Sequence, residues 1–165
     1  SCVYGIDVGY GQTEWRLRND RRVILKERTN LRYLLPEDLY GPNDKSATLA
    51  VADLSFISLR IIIPAITALL DHNSEIIFLV KPQFEVGRSR VGKGGIVRDV
   101  SAHVDALNGV IEAACNNGWK PKDVIASPIR GATGNQEYLL WLGSGNFSIS
   151  AHLPNIDELV LRTLS

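Results

Sequence analysis

The sequence predicts an α/β domain with a mostly parallel sheet, and three observations carry that prediction. Short apolar runs alternate with helical patterns along the chain. Two of these runs, in LAVADLSFISL (Leu49 to Leu59) and IIFLVKPQFE thirty residues later, lack any helical period and stop at a charged residue, Asp53 and Lys81. Such runs fit strands buried on both faces of a parallel sheet. Finally, 165 residues with 45% hydrophobic content provide for one compact domain.

In chain order, Cys2 to Val8 reads as a strand. Gly9-Tyr10-Gly11 turns the chain, and Gln12 to Arg18 suits a short helix that places Trp15 inward. Val23 to Lys26 is the second strand, Leu31 to Leu35 one helical turn, and Pro36 and Gly41 to Asp44 are loop signals. Leu49 to Ala52 is a strand. The helix after it spans about Ile62 to Leu70, with Pro64 tolerable only in its first turn. Glu75 to Val80 follows as a strand, and Pro82 to Asp99 as a long loop. The next helix is well marked: Val104, Leu107, Ile111 and Ala114 form one stripe, Asp99 or Ser101 starts it and Gly118 stops it. Val124 to Ser127 and Tyr138 to Leu142 are the last strands, and Asn155 to Leu164 is a closing helix. No internal repeat or low-complexity tract is present.

Composition narrows the function. Lysine and arginine total 18, aspartate and glutamate 18, so any polyanion site must come from local clustering. The apolar stretch from Ile61 to Leu70 is far shorter than the roughly 20 residues that span a bilayer. Nothing resembles a signal peptide, because the first residues alternate like a strand and Asp7 follows at once. A cytoplasmic protein without stable membrane insertion is expected. Cys2 and Cys115 fit no metal or redox spacing and are read as reduced, buried packing residues. His72, His103 and His152 form no ligand pair, so no metal is expected.

Ligands in parallel sheets lie beyond the carboxyl ends of the strands, which makes the strand-end residues the candidates. Asp53 and Lys81 would face each other there: a desolvated lysine can serve as a base while a carboxylate orients it, although a rim ion pair fits the same pattern. Glu137 stands at the start of the last strand. Asp7 ends the first strand, where a carboxylate suits a ribose diol and equally suits a helix cap. Gly9-Tyr10-Gly11 lacks the third glycine of a dinucleotide fingerprint. Gly87 to Lys93 matches a phosphate-binding P-loop until Gly94 replaces its serine or threonine. The better reading is a mobile glycine-rich loop holding Arg88, Arg90, Lys93 and Arg98 without an acid among them. It suits RNA phosphates, or is a solvated surface.

Together the segments YGIDVGYGQ, LKERTN, VADLSFISLR, LVKPQFEVGR, VGKGGIVRD and GNQEYLLWL resemble the TlyA, or hemolysin-A, family of ribosomal RNA 2′-O-methyltransferases, whose catalytic domain is of the FtsJ type. The resemblance implies a Rossmann-like sheet of order 3-2-1-4-5-7-6 with helices on both faces and S-adenosylmethionine as cofactor. It further implies a Lys-Asp-Lys-Glu catalytic set. Asp53, Lys81 and Glu137 match its last three members, with Asp53 also beside the cofactor. Asp7 would take the cofactor ribose, and Thr29 and Asn30 would border the adenine. The family's first strand, its glycine-rich loop, its first catalytic lysine and an S4-type RNA-binding domain have no counterpart in the sequence, so a single, partial FtsJ-like domain is expected over 1–165. The implied partner is ribosomal RNA or a ribosomal subunit. Alternatives are a catalytically idle RNA- or ribosome-binding module, a membrane-active hemolysin, and a methyltransferase of the same fold acting on a small molecule or protein.

Overall fold

The computed structural model describes residues 2–145 and 153–165; His152 lies outside them. The elements run β1 (Val3–Ile6), α1 (Trp15–Arg18), β2 (Val23–Lys26), α2 (Pro36–Leu39), β3 (Ala47–Ala52), α3 (Leu59–Leu69), β4 (Leu70–Val80), α4 (Pro82–Glu85), α5 (Val100–Asn116), β5 (Lys120–Ala126), β6 (Tyr138–Gly143) and α6 (Ile156–Leu164). Single 3-10 turns occur at Leu31–Tyr33, Arg88–Arg90 and Lys93–Gly95.

The strands form two sheets. β1 and β2 pair in parallel as a two-stranded unit, and the other four have the order β3-β4-β6-β5. β3 and β4 are parallel, whereas β6 runs antiparallel to both its neighbours, β4 and β5. The α/β class therefore stands, with a mixed rather than mostly parallel sheet. The reversal is a matter of connection length: an antiparallel pair needs only a short link, and Ser127 to Glu137 joins β5 to β6 without a crossover helix.

Ladder register separates the two faces of the larger sheet. Ala52, Phe78 and Leu140 lie in one row with Val124, and Ile76 pairs with Leu142. These side chains are buried together with Leu59, Ile62, Ile63 and Ile66 of α3, Val104, Leu107, Val110 and Ala114 of α5, and Ile156, Leu159 and Val160 of α6. All three helices thus cover the same face. On the other, Leu49, Val51, Ile125 and Trp141 are exposed, so the second helical layer implied by the family resemblance is not formed by the described residues.

The helix boundaries have local causes. Ser58 caps α3 by accepting from the Arg60 N–H, so the helix begins at Leu59 and Pro64 falls in its second turn, deeper than the first-turn placement the sequence suggests. Asp99 caps α5 through the Ser101 N–H, and Gly118, at φ +84°, ends it in the left-handed region. Two expectations fail. Trp15 is 72% exposed, because α1 is a single turn and buries no residue. Cys2 and Cys115 are both exposed; Cys115 directly follows the buried Ala114, and about 100° of helix rotation per residue carries it off the packed stripe.

β3 is an edge of its sheet and β1 an edge of the other, and a cavity of about 980 Å³ separates them. Val3, Tyr4 and Ile6 line one side, Leu49 to Leu54 the other. The strand order implied by the family resemblance puts its first strand in this place.

Candidate functional site

Because β3 and β4 are parallel with Ala52 opposite Phe78, the chain leaves both strands side by side. Asp53 and Lys81 are the next residues out. Lys81 Nζ lies 2.6 Å from Asp53 Oδ1 and donates to Ser55 Oγ at 3.0 Å. The lysine side chain is 12% exposed and the carboxylate 66%, so the amine is nearly enclosed while the acid faces outward. An ion pair with one open partner contributes only about 0–1 kcal/mol to stability. What the pair fixes is the position of the amine.

The loop after Asp53 contains a strained residue. Phe56 has φ +65°, a region costly for a side chain of its size, and is 91% exposed. Its ring meets that of Phe84 with centroids 5.2 Å apart. A few residues further along both loops, the Glu85 carboxylate accepts from Ser58 Oγ at 2.6 Å and from the Leu59 N–H at 2.8 Å. Arg60 Nη2 donates to the Glu85 carbonyl at 2.9 Å. Glu85 is buried, and desolvation raises its pKa above the usual carboxylate range.

Glu137 joins this group indirectly. It is buried, and its Oε1 accepts from Gln83 Nε2 at 3.2 Å; among the described residues no hydrogen bond joins it to Asp53 or Lys81. Gln83 Oε1 is buried without a hydrogen-bond partner among the described residues. A Cβ at Gly131 would lie 2.5 Å from Glu137 Oε1, so the bare backbone there leaves room for the carboxylate.

Asp7, Thr29 and Asn30 gather at the end of the β1–β2 unit. Asp7 Oδ1 accepts from the Gly9 N–H at 2.7 Å, and the Thr29 N–H donates to the Asp7 carbonyl at 2.9 Å. Asn30 caps the following 3-10 turn by accepting from the Arg32 N–H. Thr29 and Asn30 line a pocket of about 390 Å³ with Lys26, Arg28 and Tyr33, whereas Asp53 borders the larger cavity. Among the described residues no hydrogen bond connects Asp53 to Asp7, Thr29 or Asn30. Among the described residues the second Asp7 oxygen has no hydrogen bond, so the oriented carboxylate keeps a spare acceptor.

The basic loop is better anchored than its glycines suggest. Asn135 accepts from the Val97 N–H at 2.9 Å and donates to the Gly95 carbonyl at 2.8 Å. Buried His103 bonds the Val97 carbonyl at 3.0 Å through Nε2 and the Tyr138 hydroxyl at 2.9 Å through Nδ1. Desolvation lowers the His103 pKa, and burial pushes the Tyr138 hydroxyl up to about 12. The tautomer follows: Nε2–H donates to the carbonyl, and Nδ1 accepts from the phenol. Arg88, Lys93 and Arg98 are exposed, but Arg90 is held by Asp99, Asp105 and Ser101. Gly94 and Gly95 carry φ of +76° and +77°, which their lack of a side chain permits.

Sequence reasoning missed Ser55, Phe56, Gln83 and Glu85. Only the closeness of Ser55 and Gln83 to Asp53 and Lys81 could have signalled them; a left-handed φ and a contact spanning 26 residues leave no local trace. Among the described residues no group of three His, Cys, Asp or Glu side chains is placed to hold a metal, and no helix is long and apolar enough to cross a membrane.

The sequence profile of the FtsJ-like methyltransferases matches residues 1–144. The chain is 49% identical over 140 residues to the 16S/23S rRNA (cytidine-2′-O)-methyltransferase TlyA of Mycobacterium tuberculosis, covering 85% of this chain and 51% of that one. It is 48% identical over 145 residues to a Bacillus subtilis protein provisionally named the rRNA methyltransferase YqxC, covering 86% and 50%. The chain thus spans about half the length of these curated relatives. A solved structure from Lactococcus lactis, provisionally named a hemolysin, superimposes with a TM-score of 0.87 at 34% identity, covering 99% of this chain and 77% of the other.

Proposed function

Because this chain belongs to the FtsJ-like methyltransferase family, we propose that the full-length protein methylates a ribose 2′-hydroxyl of ribosomal RNA with S-adenosylmethionine. One observation carries the reading: an enclosed lysine amine held 2.6 Å from an outward-facing carboxylate at the tips of adjacent parallel strands.

S-adenosylmethionine, when bound, supplies an electrophilic methyl group. A ribose hydroxyl is a weak nucleophile at neutral pH, so a base must take its proton as attack proceeds. We assign that role to the Lys81 amine, with Asp53 and Ser55 setting its direction. Glu137 supports the group from one step back, through Gln83. Asp7 holds the cofactor ribose, Thr29 and Asn30 border the adenine, and Asp53 lies on the cofactor side of the pair. Phe56 offers an exposed face on which an unstacked RNA base can lie. Arg88, Lys93 and Arg98 hold RNA phosphates. Arg90, committed to Asp99 and Asp105, ties the basic loop to α5 instead.

The test is Lys81→Ala in the full-length protein. Methyl transfer to ribosomal subunits, followed with isotopically labelled cofactor, should fall at least about a thousandfold, while calorimetric cofactor affinity stays within a factor of about two. Equal loss of both would make Lys81 structural. Ribosome binding without cofactor binding would favour an idle module, and vesicle leakage without methylation a membrane-active protein.

A further inference from the structure

We propose that Glu85 is a positioning residue for the Asp53–Lys81 pair, acting as a clamp between the two loops that carry it. The inference rests on the function proposed above but begins from geometry independent of it. One loop leaves β3 and runs through Asp53, Ser55 and Phe56 to Ser58, the cap of α3. The other leaves β4 and runs through Lys81, Gln83 and Phe84 to Glu85, the last residue of α4.

Three sets of contacts join the loops along their length. Nearest the sheet are Lys81–Asp53 and Lys81–Ser55, then the Phe56–Phe84 ring contact, then the Glu85 carboxylate on Ser58 and Leu59. Lys81 thus sits on a segment of five residues fixed at one end by the β4 ladder and at the other by Glu85.

A local helix cap does not require this carboxylate. Ser58 already caps α3 through the Arg60 N–H. Glu85 comes from 26 residues away, it is buried, and burying a carboxylate is costly unless its bonds are needed. Arg60 closes the clamp from the other side by donating to the Glu85 carbonyl. With the clamp open, the loops keep only the half-exposed ion pair, the Lys81–Ser55 hydrogen bond and the contact of the exposed Phe56 with Phe84, and an exposed ion pair holds geometry poorly.

The experiment uses full-length protein and two readouts. Glu85→Ala should lower kcat for ribosomal subunits roughly 100-fold, the scale of loss from about 1 Å of misplacement, with KM for the cofactor within a factor of about two. Glu85→Gln keeps an acceptor for the Leu59 N–H and should recover most of that activity. Independently of catalysis, acetic anhydride labelling of Lys81, read by mass spectrometry, should rise several-fold in Glu85→Ala while exposed Lys120 is unchanged. Should Glu85→Ala fail to fold, Ser58→Ala removes one of the two bonds and should raise Lys81 labelling to a smaller extent. Unchanged Lys81 labelling in a folded variant overturns the proposal, as does a kcat loss that only tracks the folded fraction. If the unaltered protein transfers no methyl to ribosomes, the proposed function fails, and the labelling result still decides the role of Glu85.

Discussion

The two edges of β3 are opposites. Along one, the strand is laddered to β4, and the loops beyond both strands are joined by an ion pair, an aromatic contact and a buried carboxylate. Along the other it faces β1 across a cavity, with Leu49 and Val51 exposed nearby. The contrast teaches that the Asp53–Lys81 pair is organised by the β3–β4 half alone. Asp7 belongs to a separate β1–β2 unit that, among the described residues, no ladder ties to β3. The residues proposed for catalysis and those proposed for cofactor binding are therefore held by separate strand pairs.

The largest stability effect should come from the closed side. Phe78→Ala removes a ring that is 0% exposed at the centre of the core and should cost about 3–5 kcal/mol in denaturant unfolding. Next, Gly131→Ala places a methyl against the Glu137 carboxylate and should lower methyl transfer about tenfold, with cofactor affinity unchanged; an unaltered rate would remove Glu137 from the site. A smaller effect concerns pH. His103 is held neutral in the fold, its pKa below the unfolded value of about 6.5, so the unfolded chain binds more protons as pH falls. Stability should be complete above about pH 7 and decline as pH drops through 6.5, and His103→Gln should flatten that slope in thermal melts. The smallest effect belongs to the open side: Val51→Thr, at a 72% exposed position, should change unfolding free energy by no more than about 0.5 kcal/mol. A loss comparable to that of Phe78→Ala would mean that this face is covered in solution.

Much of the fold could be read from residue order. The apolar runs at 49–52 and 75–80 became β3 and β4, the Val104, Leu107 and Ala114 stripe became the packed side of α5, and Asp53 and Lys81 stood where the strands end. These features depend on local periodicity, which the sequence states directly. The inward Trp15 and the buried cysteines failed because burial depends on what covers a residue, and periodicity identifies only a side. The reach of Glu85 to Ser58, the left-handed Phe56, the diversion of Arg90 to two acids and the antiparallel β6 are contacts or conformations created by packing of distant segments. The sequence alone determined where β2, β3 and β4 end, and so that Asp53 and Lys81 stand at strand tips. Only the tertiary structure decided which of those ends meet, because that choice is made by long-range packing and register, to which no single segment holds the key.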